Sequence, residues 1–252
     1  IGLLLTSDEE GEAVHGIRHV VDEFLRRGQR IDYCVVGEPS SESLLGDRIR
    51  IGRRGSLHGH LRVRGVQGHV AFPEKALNPI HAAAPALAEL TAIRWDEGNA
   101  HFPPTGFQMS NIHGGTGAYN VIPGEVRIDF NFRFGTASST EDLMQRTEAV
   151  LAKHGLDYRI LWEISGAPFL TSDGRLREAT HAALQAHGIV ETMVDTGGGT
   201  SDGRFIADIC PQLVEFGPVN ASIHKIDECI PVADLEPLAR IYELCFERLL
   251  TP

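Results

Sequence analysis

Hydrophobic and polar residues follow a helix-and-strand pattern in the first forty positions. In residues 13–27 the apolar side chains recur every three or four positions, which predicts an amphipathic helix that ends at Gly28. The run Leu3–Leu5 before it and the run IDYCVVGEP after it predict buried strands. Each run ends on acidic residues, Glu9 with Glu10 and then Glu38. Acidic residues after successive strands are typical of the carboxyl edge of a parallel sheet in an α/β domain.

From about Gly55 the pattern changes to alternation. The segments SLHGHLRVRGV and EVRIDFNFRFG alternate polar and apolar residues, which predicts half-exposed antiparallel strands. Two helices are indicated by NPIHAAAPALAELTAI and by SSTEDLMQRTEAVLAKHG, the second with capping residues at its start and Gly155 at its end. A further strand, LDYRILWEIS, follows. This order indicates a β-α-β-β-α-β unit of the ferredoxin-like kind.

After Pro168 the helix-and-strand texture returns, with DGRLREATHAALQAHG, PQLVEFG and DLEPLARIYELCFERLL. The sequence therefore predicts an α/β protein. Residues 1–54 and 169–252 form its catalytic α/β domain, and residues 55–168 form an inserted ferredoxin-like domain. Because no element stands before Leu3, we expect the N-terminal part of the larger domain to be missing from this chain.

Composition narrows the classes of partner. The net charge of −11 argues against nucleic acid or an anionic membrane as the partner. No apolar run approaches the ~20 residues of a membrane span. The cysteines show no metal-ligand spacing, which favours reduced thiols in a cytoplasmic protein; they are Cys34, Cys210, Cys229 and Cys245.

The acidic residues after the predicted strands are the first candidates for chemistry. Adjacent side chains such as Glu9 and Glu10 point in different directions, so one carboxylate can bind a metal while its neighbour holds a water. Glu38 and His224 would complete a mixed oxygen and nitrogen ligand set suited to zinc. The alternatives are a solvated acidic turn for Glu9 and Glu10 and an ordinary loop histidine for His224.

Two further features allow two interpretations each. The run GGGTSDG at 197–203 lacks the lysine of a phosphate loop, and it is either a flexible turn or a loop whose amides, with Thr200, approach a substrate carboxylate. The pair Arg53–Arg54 is either a carboxylate clamp or a solvated basic edge. His69 and Asn120 lie in glycine-containing turns. No HExxH sequence occurs, which argues against the commonest type of zinc protease.

Several stretches together resemble the dinuclear zinc amidohydrolases of the aminoacylase and peptidase superfamily. They cover essentially the whole chain and are TSDEEG, VVGEPSS, GRRGSLHGHLRVRGVQGHVAFP, NPIHAAAPAL, YNVIPGEVRIDFNFRF, GGGTSDGRFIA and FGPVNASIHKIDECIPVADLEPLARIYE. The closest resemblance is to members that release succinate from N-succinyl-LL-2,6-diaminopimelate in lysine and cell-wall precursor synthesis. An acetylornithine deacetylase or another N-acyl amino-acid hydrolase of the superfamily is the alternative.

The resemblance implies a role for each matching position. Glu9 corresponds to the general base and acid, Glu10 to a ligand of one zinc, and Glu38 with His224 to ligands of the other. His69 would help to stabilise the oxyanion, and it would reach the active site of the second subunit of a homodimer, as would Asn120. The positions that bind substrate are Arg53, Ser56, Asn120, Arg133, Thr200 and Asn220.

The cofactor implied is zinc, two ions per subunit of the intact enzyme, with cobalt an option at one site. One departure matters, because the family's HxD segment, which supplies two further ligands, is not found before Leu3. We therefore expect this polypeptide alone to be inactive or to bind one metal weakly. A purely dimerising module, joined through residues 55–168, is the alternative from another functional class.

Overall fold

The computed structural model describes residues 1–7, 9–11 and 13–251. The chain forms two compact units, one from Ile1–Arg53 with Phe169–Pro252 and one from Arg54–Pro168. We call them the α/β unit and the ferredoxin-like unit. None of the described helices has the length and apolar character needed to cross a membrane.

The helices of the α/β unit are α1 (Ile17–Arg26), α4 (Arg175–Ala186), α5 (Gly203–Ile206) and α6 (Leu235–Leu250), and those of the ferredoxin-like unit are α2 (Pro79–Ala92) and α3 (Thr140–Lys153). The strands of the α/β unit are β1 (Tyr33–Val36), β2 (Arg48–Arg50), β3 (Gly52–Arg53), β10 (Phe169–Leu170), β11 (Met193–Asp195) and β12 (Gln212–Glu215). Those of the ferredoxin-like unit are β4 (Gly55–Arg64), β5 (Gly68–His69), β6 (Gly106–Gly114), β7 (Val121–Ile122), β8 (Glu125–Phe134) and β9 (Tyr158–Gly166).

The main sheet of the α/β unit has the strand order β1-β12-β2-β11. Strand β1 runs parallel to β12, with Tyr33 opposite Gln212. Successive residues of a strand face opposite sides, and both sides of β12 are covered. Leu213 packs with α1 in one apolar cluster, whereas Val214 packs with α4 and α6 in another. Strand β12 is therefore buried on both faces, as is usual for parallel strands of α/β domains, whereas Met193 and Val194 of the edge strand β11 are exposed.

The short strands β3 and β10 pair with each other antiparallel, at the points where the chain leaves and re-enters the α/β unit. Arg53 lies opposite Phe169, and Gly52 lies opposite Leu170. A Cβ atom on Gly52 would lie only 2.3 Å from the carbonyl oxygen of Phe169, so only glycine fits this close approach.

The ferredoxin-like unit is an antiparallel sheet in the order β6-β8-β4-β9, with α2 and α3 packed on one face. The buried side chains of β4 and β8 meet those of the helices, and this core includes Leu57, Leu61, Phe130, Phe132 and Leu143. The prediction of an α/β protein with a β-α-β-β-α-β unit is confirmed. Strand β6 fills the one position of that order to which no segment was assigned from the sequence.

Two details of the N-terminal prediction are wrong. The run Leu3–Leu5 forms no strand, and Leu3 and Leu5 are 85% and 82% exposed. An apolar run becomes a strand only where its backbone groups find a partner, and no described strand pairs with this run. Asp8, at the end of the run, lies outside the described residues. The first helix begins at Ile17 rather than at residue 13, because Ala13 has a φ of 52°, which is not helical.

One carboxylate ties together the loops around the ferredoxin-like core. Asp96 accepts hydrogen bonds from the backbone amides of Gly98 and Thr105 and from the hydroxyls of Thr105 and Ser138. Burial acts to raise the pKa of Asp96, but these hydrogen bonds outweigh it and leave the pKa below its usual value. A carboxylate with so many donors contributes to stability in its charged form.

We predict that Asp96→Ala destabilises the ferredoxin-like unit by about 2–3 kcal/mol, since it leaves several donors unpaired. Because the pKa is lower in the folded state, the difference from wild type is full above about pH 4 and shrinks as the pH falls through the folded pKa. Urea unfolding followed by tryptophan fluorescence measures it, since Trp95 and Trp162 both lie in this unit. Asp157→Ala, at an exposed site, is the control, and an equal loss there would contradict the prediction.

Candidate active site in the α/β unit

Glu38 lies two residues beyond β1. The backbone around it is fixed by hydrogen bonds between two serines and Gly217. The Ser41 hydroxyl donates to the carbonyl of Gly217 at 2.8 Å, and the amide of Gly217 donates to the Ser40 hydroxyl at 3.3 Å. A Cβ atom on Gly217 would lie 2.4 Å from the Glu38 carbonyl oxygen. Glycine at 217 therefore lets the segments that follow β1 and β12 run side by side.

The carboxylates around Glu38 are crowded. Burial raises the pKa of Glu38 to about 7, with further contributions from the negative charges of Glu215 and Glu9. The pKa of Glu9 is also raised, first by burial and then by Asp202 and Glu10. Such a cluster binds a cation favourably and can also hold a proton near neutral pH.

His224 meets this cluster from the opposite end of the chain. Its Nε2 lies 3.1 Å from Oε1 of Glu10, and both side chains are largely exposed. Its backbone has a φ of 57°, a conformation uncommon for a residue other than glycine. The structure therefore puts His224 in contact with Glu10, 214 residues away, and places Glu9 within electrostatic reach of Glu10, Glu38 and His224.

Carboxylate oxygens with an imidazole nitrogen are donors that zinc and related divalent cations accept. Within the described part of the chain, however, no three His, Cys, Asp or Glu side chains are close enough to form a complete ligand group. Glu10 and His224 form the pair in direct contact. These carboxylate and imidazole groups are therefore of the right chemical type to bind a divalent cation, but they supply only part of its coordination shell.

The glycine-rich run 197–203 does not present its amides as a phosphate loop does. The Nη1 of Arg53 donates to the carbonyl oxygens of Gly197 and Gly199, so these carbonyls face inward. Thr200 is half-buried in this loop, and Asn220 donates its backbone amide to the carbonyl of Ser41 at 2.9 Å. The roles of Thr200 and Asn220 in binding substrate stay predictions.

Sequence reasoning missed three residues near the cluster, Asp202, Arg204 and Glu215. Arg204 lowers the pKa of Glu9, whereas Asp202 raises it, so both lie within electrostatic reach of that carboxylate. Asp202 and Arg204 belong to GGGTSDGRFIA, one of the stretches that carry the family resemblance. Membership of that stretch was the one sequence feature that could have pointed to them. Glu215 ends an apolar strand like many solvated glutamates, so its sequence gave no sign of its burial.

Ser201 has the spacing of a serine-hydrolase nucleophile, because GTSDG fits the pattern GxSxG. Its side chain is nevertheless fully buried, and its hydroxyl donates to a carboxylate oxygen of Glu215. A nucleophile needs an exposed hydroxyl and an adjacent base such as histidine. The geometry therefore gives Ser201 a structural role.

The other predicted residues lie in the ferredoxin-like unit, in two pairs. Ser56 on β4 is directly opposite Arg133 on β8, and its hydroxyl accepts a hydrogen bond from Asn131. His69 Nε2 lies 3.4 Å from the side-chain nitrogen of Asn120, which directly precedes β7, the antiparallel partner of β5. The backbone amide of Ala71 donates to Nδ1 of His69, so the neutral ring carries its proton on Nε2.

Comparison with known proteins identifies the relatives of this chain. A succinyl-diaminopimelate desuccinylase of Aromatoleum aromaticum is 61% identical over 252 residues, which is 100% of this chain and 66% of that protein. The desuccinylase of Methylobacillus flagellatus is 59% identical over 99% of this chain and 67% of its own length. The chain belongs to the succinyl-diaminopimelate desuccinylase family. It spans about two thirds of the length of these relatives.

Two further comparisons agree with membership of the desuccinylase family. The family model described as the peptidase dimerisation domain matches residues 51–159, which covers most of the ferredoxin-like unit. Among solved structures, the aminopeptidase PepT of Bacillus cereus has a TM-score of 0.77 at 19% identity, covering 98% of this chain and 63% of that one. At this identity the likeness concerns the fold, which is shared over both units.

The crowding of carboxylates leads to a prediction about pH. We expect the Glu38 carboxyl of protein treated with a chelator to titrate near pH 7, and Glu9→Gln to lower that pKa by removing a repelling charge. Because the folded pKa is raised, the stability contribution is full below the unfolded value of about 4.3 and is lost as the pH rises through 7.

Carboxyl carbon NMR on labelled protein measures the titration, and denaturant unfolding from pH 4 to 8 measures the stability. Glu38→Gln should remove this pH-dependent loss of stability. An exposed carboxylate, Glu236, provides the control substitution. Titration of Glu38 near its ordinary value would contradict the prediction.

Proposed function

We propose that the protein hydrolyses the amide bond of N-succinyl-LL-2,6-diaminopimelate to succinate and LL-2,6-diaminopimelate, a step toward lysine and cell-wall precursors. The observation that carries the proposal is about 60% identity, across the whole chain, to proteins with that name. All four cysteines are free thiols, which supports a cytoplasmic location.

Glu9 is the proposed general base and acid. It would take a proton from the attacking water and deliver it to the nitrogen of the leaving amine. Its raised pKa supports this role, since a carboxyl group takes up and releases a proton more readily as its pKa moves toward the working pH. Burial and the neighbouring charges of Asp202 and Glu10 provide that raised pKa.

Glu10, Glu38 and His224 are the proposed metal-holding residues, for two zinc ions per subunit, with cobalt an alternative at one site. When bound, such ions lower the pKa of a water molecule and polarise the amide carbonyl. Crowded carboxylates with raised pKa values support this proposal, because a divalent cation would relieve their repulsion.

Basic and polar side chains account for recognition of an anionic substrate by an acidic protein. We propose Ser56, Arg133, Thr200 and Asn220 as substrate-binding residues, with Arg204 in addition. The Nε atom of Arg204 is buried and has no hydrogen-bond partner within the described residues, which leaves that donor for a ligand. We propose Arg53 for the same task, with its guanidinium held in place by Glu215 and the glycine-rich loop.

His69 and Asn120 are proposed to act at the site of the second subunit of a homodimer. Both are exposed and their side chains are 3.4 Å apart, and the amide of Ala71, which donates to Nδ1 of His69, favours a neutral ring with its proton on Nε2. That tautomer can donate a hydrogen bond to a developing oxyanion.

A direct test of the substrate compares turnover of N-succinyl-LL-2,6-diaminopimelate with that of N-acetylornithine by a polypeptide spanning the full length of the family. We expect kcat/KM to favour the succinylated substrate by at least about 100-fold, the loss expected when buried charged contacts go unmade. Equal turnover of the two substrates would overturn the proposal.

We predict that Glu9→Gln lowers kcat by about 10²–10⁴-fold with zinc content unchanged, since it removes the proton-transfer group and no ligand. His224→Ala should instead lower zinc content and activity together. Metal analysis and steady-state kinetics on the same preparations separate the two effects. Loss of zinc from the Glu9→Gln variant, or wild-type activity of that variant, would contradict the role assigned to Glu9.

The edge strand β6 is the proposed contact between the two subunits. Its nine residues contain no Asp, Glu, Lys or Arg, whereas the opposite edge, β9, contains Arg159 and Glu163. Charges on an edge strand discourage pairing with another chain, so β6 is the less protected edge. Ile112 on β6 and Ile80 on the neighbouring α2 add exposed apolar surface.

We predict that Ile112→Lys on β6 weakens the dimer at least about tenfold, because it places an unpaired charge in an apolar contact. Ile164→Lys on β9 is a matched control, since the two isoleucines are 55% and 54% exposed. Sedimentation over a concentration series measures the dimer affinity. A larger effect of Ile164→Lys would assign the interface to the other edge.

A further inference from the structure

The side chain of Arg53 contacts the backbone of the glycine-rich loop directly. The Nη1 atom of Arg53 donates to the carbonyl oxygens of Gly197 and Gly199 at 3.1 and 3.2 Å. Gly198 between them has a φ of +84°, and a Cβ atom there would lie 2.5 Å from the same nitrogen. The loop therefore lies against the guanidinium, and glycine at 198 permits the approach.

Glu215 holds the other side of that guanidinium. It is the last residue of β12, its exposed fraction is zero, and one carboxylate oxygen accepts from Nε of Arg53 at 2.6 Å. The other oxygen accepts from the hydroxyl of Ser201, at the far end of the loop. A Cβ atom on Gly203 would lie 2.9 Å from that oxygen, so the loop is packed against Glu215 as it enters α5.

The two oxygens of Glu215 thus bind both ends of the loop, one through Arg53 and the other through Ser201. Between these ends lies Thr200, and directly after Ser201 follow Asp202 and Arg204. Asp202 and Arg204 affect the pKa of Glu9, so the position of the loop determines the electrostatic surroundings of the proposed general base.

We propose that Glu215 is a positioning residue, which fixes the loop 197–203 through Arg53 and Ser201 and so places Thr200, Asp202 and Arg204. Since its side chain is fully buried, Glu215 acts through these neighbours and touches no substrate. The part that concerns the loop stands independently, and the part that concerns turnover rests on the proposed function.

The first experiment is hydrogen exchange of the backbone amides of residues 196–203. We expect Glu215→Gln and Gly198→Ala each to speed this exchange by about 10–100-fold, the range that follows from losing charge-assisted hydrogen bonds. Gly199→Ala is the matched control for Gly198, because a Cβ atom at 199 meets nothing within 4 Å. Unchanged exchange in folded Glu215→Gln protein would overturn the proposal.

Loss of global stability is separated from loss of positioning by two further variants. Asp47→Asn removes a charge that accepts hydrogen bonds from the amides of Glu42, Ser43 and Leu44 in the same unit. It should leave exchange of the loop unchanged, and equal loosening there would count against the proposal. The double variant Arg53→Met with Glu215→Leu removes both buried charges together. We expect it to be more stable than Glu215→Gln, while the amides of the loop still exchange faster than in wild type.

Kinetics of the full-length protein complete the test. We expect Glu215→Gln to lower kcat by about 10–100-fold, as is usual for residues that orient a catalytic group, while Asp47→Asn retains wild-type kcat. If wild type does not turn over the succinylated substrate, the proposed function fails while the exchange result still decides the positioning role. A loosened loop with wild-type kcat would overturn the link to turnover.

Discussion

Repulsion among carboxylates is the constraint on which the α/β unit depends. Burial raises the pKa values of Glu9 and Glu38, and neighbouring carboxylates raise them further, Asp202 and Glu10 that of Glu9, and Glu215, Glu9 and Asp202 that of Glu38. Such a group persists in a folded protein only where positive charge or bound protons offset it. The surrounding structure provides that compensation in separate ways for the buried and the accessible members.

The charge of the buried carboxylate, Glu215, is neutralised by a partner within the fold. The accessible carboxylates, Glu9 and Glu10, have no such permanent ion-pair partner within the described residues and can bind a cation or a proton. Glu215 has Arg53 as a permanent partner, and the pair is shielded from water. Glu10 lies at the surface with His224, and Glu9 is half-buried. This division gives one carboxylate the task of holding the loop, while the others remain able to bind a cation or carry a proton.

The sequence predicted most of the regular elements, because their hydrophobic periodicity is a local property. Strand β6 escaped assignment, since its alternation is limited to Phe107 and Met109 before the register shifts between Met109 and Asn111. Leu3–Leu5 has the composition of a strand, but strand formation depends on a partner elsewhere in the chain. Glu215 could not be found for a similar reason, because its burial results from contacts with residues 162 positions away.

The pairing of β3 with β10 brings the two ends of the inserted unit close together. The chain leaves the α/β unit at Arg53 and returns at Phe169, and those two residues are direct partners in one ladder. The ends of the insertion are therefore separated by about 5 Å, the distance between opposite residues of adjacent strands. A tight turn could close that gap, so a chain without the ferredoxin-like unit would keep the pairing of β3 with β10.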